Sequence, residues 1–210
     1  MTGATLERPH VWRAGTGGPP LLLLHGTGGN EHDLLPLAER LAPSAPVLSV
    51  RGTVLENGMP RFFRRLAEGV FDEADLRARV DELAEFLTAA EKHYGVEPGS
   101  WTAVGFSNGA NVASALLMLR PEALTAAVLL AAMVPFADPP AAVLTGKRVV
   151  VANGLRDPMA TPAHTNTLAT QLHSRGAEVV VLPHDGGHSV DPGQLPRIAE
   201  FLRQVKVRDR

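Results

Sequence analysis

Short, almost wholly apolar runs alternate along the chain with longer segments that repeat apolar residues at helical spacing. Such runs predict strands buried on both faces, because parallel strands covered by helices lose the alternation of apolar and polar residues. The chain has six of these runs, namely PLLLLHG (20–26), APVLSV (45–50), SWTAVGFS (100–107), TAAVLLAAM (125–133), KRVVVANG (147–154) and AEVVVLP (177–183). An earlier segment, PHVWRAG (9–15), is a candidate edge strand.

The segments between these runs predict helices. The clearest stripe lies within residues 73–94 and consists of Leu76, Val80, Leu83, Leu87 and Ala90. The other helical patterns are LLPLAERLA (34–42), NGANVASALLML (108–119), TNTLATQLHSRG (165–176) and PGQLPRIAEFLRQV (192–205). Strands that alternate with helices predict an α/β fold with a mostly parallel sheet. Residues 51–72 form a long connection rich in Arg and Phe.

Composition adds little to this picture but excludes several classes of protein. The chain has 210 residues, 45% hydrophobic and 20% charged, which suits one globular domain over residues 1–210. A net charge of −2 gives no electrostatic basis for binding nucleic acid or an acidic membrane. With no cysteine, the chain has no disulfide, thiolate nucleophile or thiolate metal site. The first residues show no apolar signal-peptide core, so we expect a cytoplasmic protein.

The segment VGFSNGAN (104–111) carries the first candidate for chemistry. Gly105, Ser107 and Gly109 form Gly-x-Ser-x-Gly at the junction of a predicted strand and a predicted helix. In that context the motif is a sharp turn that exposes a nucleophilic serine at the end of the sheet, with glycines where side chains would collide with backbone. The alternative is a loop serine flanked by glycines.

A serine nucleophile needs a base and an acid, which follow it along the chain in this type of fold. Four histidines come after Ser107, and His164 and His173 fall in a helical pattern. We assign the base to His188, which follows two glycines in the loop LPHDGGHSVDP (182–192); His184 is its local rival.

The acid is expected after the strand that precedes this loop. Asp157 lies there, in a turn bounded by Gly and Pro, although an Asp-Pro pair also suits a simple turn or helix cap. Asp185 is too close in sequence to His188 to orient it easily, and Asp138 comes one strand early. The sequence therefore predicts a triad of Ser107, Asp157 and His188.

The tetrahedral intermediate of such a reaction needs donors for its oxyanion. We assign the backbone N–H of Asn108, directly after the nucleophile, and the backbone N–H of Thr27 in the glycine-rich loop HGTGGN (25–30). His25 is expected to hold this loop by hydrogen bonds. The same loop lacks the Lys-Ser/Thr ending of a phosphate-binding loop.

Six further residues are candidates for substrate contacts. Arg61, Phe62 and Phe63 combine a cation with two rings, which suits an aromatic or anionic acyl group, and Met133, Phe136 and Met159 follow strand ends and suit an apolar acyl pocket. For all six, the alternative is ordinary packing, with the arginine facing water.

These motifs resemble the α/β-hydrolases, and more narrowly the phospholipase/carboxylesterase family of small serine esterases without a large lid. The resemblance covers most of the chain, through LLLLHGTGGNEHDLLPLAERLAP, RGTVLENGMPRFFRRLAEGVFDEADL, GFSNGAN, NGLRDPM and GGHSV. It implies a sheet flanked by helices on both faces and the Ser107–Asp157–His188 triad. Dienelactone hydrolases are similar in architecture, but they use a cysteine where this chain has Ser107.

The expected function is hydrolysis of small carboxylic esters, with a small-molecule ester as the partner and no metal or organic cofactor. Two alternatives remain open at this point. One is a binding or sensing protein on the same fold, since fold alone does not establish catalysis. The other is a thioesterase or acyltransferase. Neither the physiological ester nor the choice between monomer and homodimer follows from the sequence.

Overall fold

The computed structural model of the chain describes residues 6–205. Its strands are β1 (His10–Arg13), β2 (Leu21–Leu24), β3 (Val47–Val50), β4 (Val54–Glu56), β5 (Met59–Arg61), β6 (Arg65–Ala67), β7 (Val70–Phe71), β8 (Trp101–Phe106), β9 (Leu124–Leu130), β10 (Arg148–Ala152) and β11 (Glu178–Val181). Its helices are α1 (Leu35–Leu41), α2 (Glu73–Tyr94), α3 (Asn108–Leu119), α4 (Pro162–His173) and α5 (Leu195–Arg203).

Seven strands form the central sheet, in the order β1-β3-β2-β8-β9-β10-β11. All neighbours in this sheet pair parallel except β1, which runs antiparallel to β3 at one edge. The six apolar runs and the candidate edge strand of the sequence are these seven strands; the last run forms β11, which lies at the other edge and is partly exposed. The α/β prediction with a mostly parallel sheet is therefore confirmed.

Helices cover both faces of the sheet, and β2 illustrates how its side chains divide between them. Leu22 and Leu24 belong to the apolar cluster that holds α2, α3 and α4. Leu21 and Leu23 belong to the opposite cluster, with α1 and α5. All four leucines are fully buried, which explains why β2 reads as an unbroken apolar run.

The long connection between β3 and α2 contains two small hairpins that the sequence prediction left as irregular chain. Strand β4 pairs antiparallel with β5, and β6 pairs antiparallel with β7. The first hairpin turns at Asn57 and Gly58, whose φ values are both positive (52° and 79°). Asn-Gly between short strands is a strong hairpin signal, so this turn was readable from the sequence. Among the helices that the structure describes, none has the length and apolar character needed to cross a membrane.

Candidate active site

The turn at Ser107 joins β8 directly to α3 and has the strained backbone that its glycine spacing predicted. Ser107 has φ 52° and ψ −115°, a combination that costs a non-glycine residue about 1–3 kcal/mol. A Cβ at Gly105 would lie 2.5 Å from the carbonyl oxygen of Gly109. One at Gly109 would lie 1.9 Å from the carbonyl oxygen of Leu24. Both glycines are therefore required by the close passage of the backbone.

The side chain of His188 reaches the serine. Its Nε2 lies 2.8 Å from Ser107 Oγ, and its Nδ1 lies 2.7 Å from Asp157 Oδ2. The imidazole is 22% exposed and the aspartate side chain is fully buried. With the proton on Nδ1 donated to Asp157, Nε2 is free to accept the proton of the serine hydroxyl. The three residues that the sequence singled out thus form one continuous hydrogen-bonded series.

Asp157 is held in place by its own loop. Its Oδ1 accepts hydrogen bonds from the backbone N–H groups of Met159 (2.8 Å) and Ala160 (2.9 Å), which leaves Oδ2 for the histidine. The two weaker candidates for the acid, Asp138 and Asp185, are exposed.

The loops that carry Asp157 and His188 are joined to each other through their backbones. Leu155 N–H donates to the carbonyl of His184 (2.8 Å), and Arg156 N–H donates to that of Gly186 (3.0 Å). His184, the rival base, is buried here instead of facing the serine, and its Nδ1 accepts the N–H of Gly186 at 3.1 Å. The rival residue therefore braces the loop that presents His188.

Two buried asparagines form hydrogen bonds to the backbone that follows β9, and the sequence did not predict either of them. Asn153 exchanges hydrogen bonds with the backbone of Ala132, at 2.9 Å as acceptor and 2.8 Å as donor. Asn111 accepts the N–H of Met133 at 2.8 Å. They fix the carboxyl ends of β9 and β10 relative to α3. A buried amide has no distinctive pattern in a sequence, so only the geometry reveals this role.

The glycine-rich loop after β2 packs directly on the nucleophile turn. A Cβ at Gly26 would lie 2.9 Å from the ring of Phe106, which itself lies 5.4 Å from the His188 ring. Thr27 follows in this loop and is exposed at the rim. Asn108 is the first residue of α3, so its N–H has no acceptor within the helix. The two predicted oxyanion donors therefore belong to adjoining segments beside Ser107.

His25 supports this loop in the way the sequence suggested. Its Nδ1 lies 2.6 Å from the carbonyl oxygen of Gly26, and its Nε2 accepts the N–H of Gly52 at 3.0 Å. Burial lowers the pKa of His25, which favours the neutral ring that this pair of bonds needs.

The candidate substrate-contact residues are for the most part buried. Phe62, Phe63 and Phe136 lie in the main apolar core, which fits the packing alternative. Arg61 is 3% exposed, and burial lowers its pKa while Glu56 acts in the opposite direction. Met133 is 7% exposed, and Met159, which is half-buried, lies two residues after Asp157 along the chain.

The chain is similar to named bacterial hydrolases over almost its whole length. No family model matches the chain. The protein named "Putative hydrolase MhqD" from Bacillus subtilis (strain 168) is 43% identical over 198 residues, which cover 94% of this chain and 99% of that protein. The crystal structure of the Bacillus cereus carboxylesterase has a TM-score of 0.92 at 47% identity and covers 95% of both chains.

A second solved carboxylesterase, from Mesorhizobium loti, has a TM-score of 0.85 at 32% identity and covers 90% of both chains. Likeness of this degree extends over almost the whole chain. The chain therefore belongs to a family of bacterial esterases within the α/β-hydrolases.

Proposed function

We propose that the chain is a carboxylesterase that hydrolyses small esters through an acyl-enzyme on Ser107, with His188 as base and Asp157 as the orienting acid. The observation that carries the proposal is the unbroken hydrogen-bonded series from the serine hydroxyl through the imidazole to the carboxylate. Relatives named carboxylesterases support ester hydrolysis over the binding protein and the thioesterase or acyltransferase considered above.

In the first half of the reaction, Ser107 Oγ attacks the ester carbonyl carbon while His188 Nε2 takes the hydroxyl proton. The carbonyl oxygen becomes an oxyanion, and the backbone N–H groups of Thr27 and Asn108 stabilise it. When the ester C–O bond breaks, Nε2–H gives its proton to the leaving alkoxide. An alcohol departs, and the acyl group remains on Ser107.

In the second half, water takes the place of the alcohol. His188 Nε2 removes a proton from water as its oxygen attacks the acyl carbon, and the same donors hold the second oxyanion. Collapse of this intermediate returns the proton to Ser107 Oγ and releases the carboxylic acid. Asp157 stays ionised throughout and stabilises the charged imidazole through Nδ1. The reaction consumes only ester and water, so it requires no cofactor.

The surroundings of Ser107 support a small, largely apolar substrate. Ser107 is half-buried at the rim of the sheet, and the first hairpin of the 51–72 connection places one exposed apolar side chain, that of Met59, beside the glycine loop. Met59, 40% exposed, packs against the position of Gly28. Apolar groups near the reacting carbon favour an apolar acyl or alcohol part over a charged one.

The test compares Ser107→Ala with Ser114→Ala, a matched serine in the same helix that donates to a backbone carbonyl in the core. We expect Ser107→Ala to lose hydrolysis of p-nitrophenyl acetate by at least about 10⁴-fold, since the covalent route is removed. It should also lose labelling by a fluorophosphonate. Ser114→Ala should keep both. Undiminished turnover by Ser107→Ala would refute the proposal.

A further inference from the structure

Residues 60–63, at the end of the first hairpin, contact both segments that carry the proposed oxyanion donors. On the side of the glycine loop, the carbonyl of Pro60 accepts the N–H of Gly28 at 2.9 Å, and Arg61 Nη1 donates to Thr27 Oγ1 at 2.7 Å. On the side of the nucleophile, Phe62 N–H donates to Asn108 Oδ1 at 2.7 Å. This short segment therefore links the two halves of the proposed oxyanion hole.

The Arg61 side chain is buried and makes several contacts inside the protein. Its side chain is 4% exposed and its Nε lies 3.2 Å from Glu56 Oε2. Nε also donates to the carbonyl of Phe63 at 3.1 Å, and the guanidinium lies 5.8 Å from the centre of the Phe63 ring. Burying a cation is costly unless it is paired and hydrogen-bonded. These contacts compensate for burial and leave Nη1 directed at Thr27.

Glu56 is itself held from the second hairpin. Arg65 binds it through two nitrogens, with Nε 2.9 Å and Nη2 2.7 Å from Glu56 Oε1. A carboxylate that is bound by two cations is held in position better than one that is bound by a single cation. The position of Arg61 is therefore set by both hairpins of the 51–72 connection.

Thr27 needs such an anchor because of its neighbours. It stands between Gly26 and Gly28, the latter at φ 81°, in a loop whose glycines leave many backbone conformations open. A hydrogen bond to its side-chain hydroxyl holds this residue without occupying the backbone N–H. An oxyanion donor stabilises charge well only when its direction is set before the reaction.

We propose that Arg61 is a positioning residue of the oxyanion hole, which holds the Thr27 hydroxyl and thereby directs the Thr27 backbone N–H at the carbonyl oxygen of the ester. This role rests on the proposed function and gives it a structural basis that the triad alone lacks. It differs from a substrate-gripping role, because the guanidinium is buried and already hydrogen-bonded.

The first experiment uses a matched pair at Thr27. Thr27→Val keeps the branched shape and removes the acceptor, while Thr27→Ser keeps the hydroxyl. We expect Thr27→Val to lower kcat for p-nitrophenyl acetate by roughly 10–100-fold, which is less than the effect of losing an oxyanion donor outright, with KM changed by less than about threefold. Thr27→Ser should keep most of the wild-type kcat. Equal kcat values for the two variants would overturn the proposal.

The second experiment is a double-mutant cycle with Arg61→Met, which removes the donor and keeps a long side chain. If Arg61 acts through Thr27, the double variant Arg61→Met/Thr27→Val should have a kcat within about threefold of the slower single variant. Multiplied losses would show that Arg61 acts by another route. If Arg61→Met fails to fold, the Thr27 pair decides the question alone.

A third measurement separates positioning from general structural damage. A trifluoromethyl ketone adds to the serine to form an oxyanion in the same place, so Thr27→Val should weaken its binding by about the same factor as kcat. Thermal unfolding of the variant should stay within about 2–4 °C of wild type, as expected for a change near 1 kcal/mol. Unchanged inhibitor affinity would count against the proposal. If Ser107→Ala still turns over, the proposed function fails first, and the two failures are thus distinguishable.

Discussion

At the scale of single residues, the backbone of Ser107 is the most unusual feature of the site. Its positive φ is imposed by the direct passage from β8 into α3 and is tolerated because Gly105 and Gly109 let three backbone segments approach each other. The strain keeps Oγ above the sheet at the start of a helix, whose positive end favours a developing anion. In the proposed mechanism, reactivity depends on the His188 tautomer, which Asp157 selects.

Asp157→Asn tests that selection. Asn keeps an oxygen for the N–H groups of Met159 and Ala160, but its amide can donate to His188 Nδ1 and so favours the tautomer with its proton on Nε2. We expect kcat for p-nitrophenyl acetate to fall by about 10³–10⁴-fold with little change in thermal stability.

The control for this variant is Asp138→Asn, since Asp138 is exposed and was the other candidate on a separate loop. It should keep wild-type turnover. The opposite pattern, with Asp138→Asn inactive and Asp157→Asn active, would move the acid to the earlier strand.

Whether a residue could be predicted from the sequence depends on the kind of structural constraint that acts on it. Ser107 was readable because backbone collisions demand glycines at fixed spacing, and His188 and Asp157 because they follow predicted strand ends. The contact of Arg61 with Thr27 was not readable, since it joins two loops 34 positions apart without any periodic pattern. The sequence also suggested that Arg61 contacts the substrate. That role stays a prediction, and Arg61 is buried in the structure.

At the scale of elements, the loops after β10 and β11 behave as one unit. Their backbones exchange hydrogen bonds through Leu155 and Arg156, and a Cβ at Gly154 would lie 2.3 Å from the carbonyl oxygen of Gly187. The proposed acid and the proposed base are therefore positioned together. His184 contributes by accepting the N–H of Gly186, two residues before the base.

The His184 contact gives a prediction with a matched pair of variants. Asn at 184 can accept the Gly186 N–H as an Asx turn, whereas Leu has a similar size and no acceptor. His184→Leu should reduce kcat by roughly tenfold and lower stability by no more than about 1 kcal/mol, because the Gly186 N–H loses its acceptor while a buried, unpartnered Nε2 is removed. Thermal unfolding and p-nitrophenyl acetate turnover provide the two measurements.

His184→Asn should remain close to wild type in both. This variant also tests the base, because a catalytic His184 could not be replaced by Asn without loss of activity. A strong loss of kcat in His184→Asn, with stability intact, would favour His184 over His188.

Element prediction succeeded where burial is continuous and failed where strands are short. The central strands contribute side chains to both apolar clusters, and this leaves long apolar runs in the sequence. Strands β4 to β7 have only two or three residues each and pair only with each other, so no periodicity can develop. The Asn57-Gly58 turn is a local sequence signal of the first hairpin. The prediction for residues 51–72 rested on their Arg and Phe content and did not use this signal.

At the scale of the whole molecule, the proposed active site and a group that makes stability depend on pH lie at opposite ends of the sheet. Ser107 follows the carboxyl end of β8, whereas Glu91 lies near its amino end, about 20 Å away along a six-residue strand. Glu91 is 7% exposed near the end of α2, and its Oε1 accepts the N–H of Gly99 at 2.9 Å. Burial raises the pKa of Glu91, and the Gly99 amide opposes that shift only in part.

The sign of this shift predicts a stabilising substitution. Because the pKa of Glu91 is higher in the folded than in the unfolded state, the folded protein loses stability as pH rises from the unfolded value of about 4.3 through the folded one. Glu91→Gln keeps an acceptor for Gly99 and removes the buried charge. We expect the thermal unfolding temperature of Glu91→Gln at pH 7.5 to lie about 2–4 °C above that of wild type, equivalent to about 1 kcal/mol. This difference should vanish near pH 4.

The control is Glu85→Gln, because Glu85 is exposed on the same helix; this variant should show neither effect. Esterase activity should be unchanged in both variants, because both substitutions lie in α2, far from Ser107. A lower unfolding temperature for Glu91→Gln at pH 7.5 would contradict the assignment of a buried, destabilising charge.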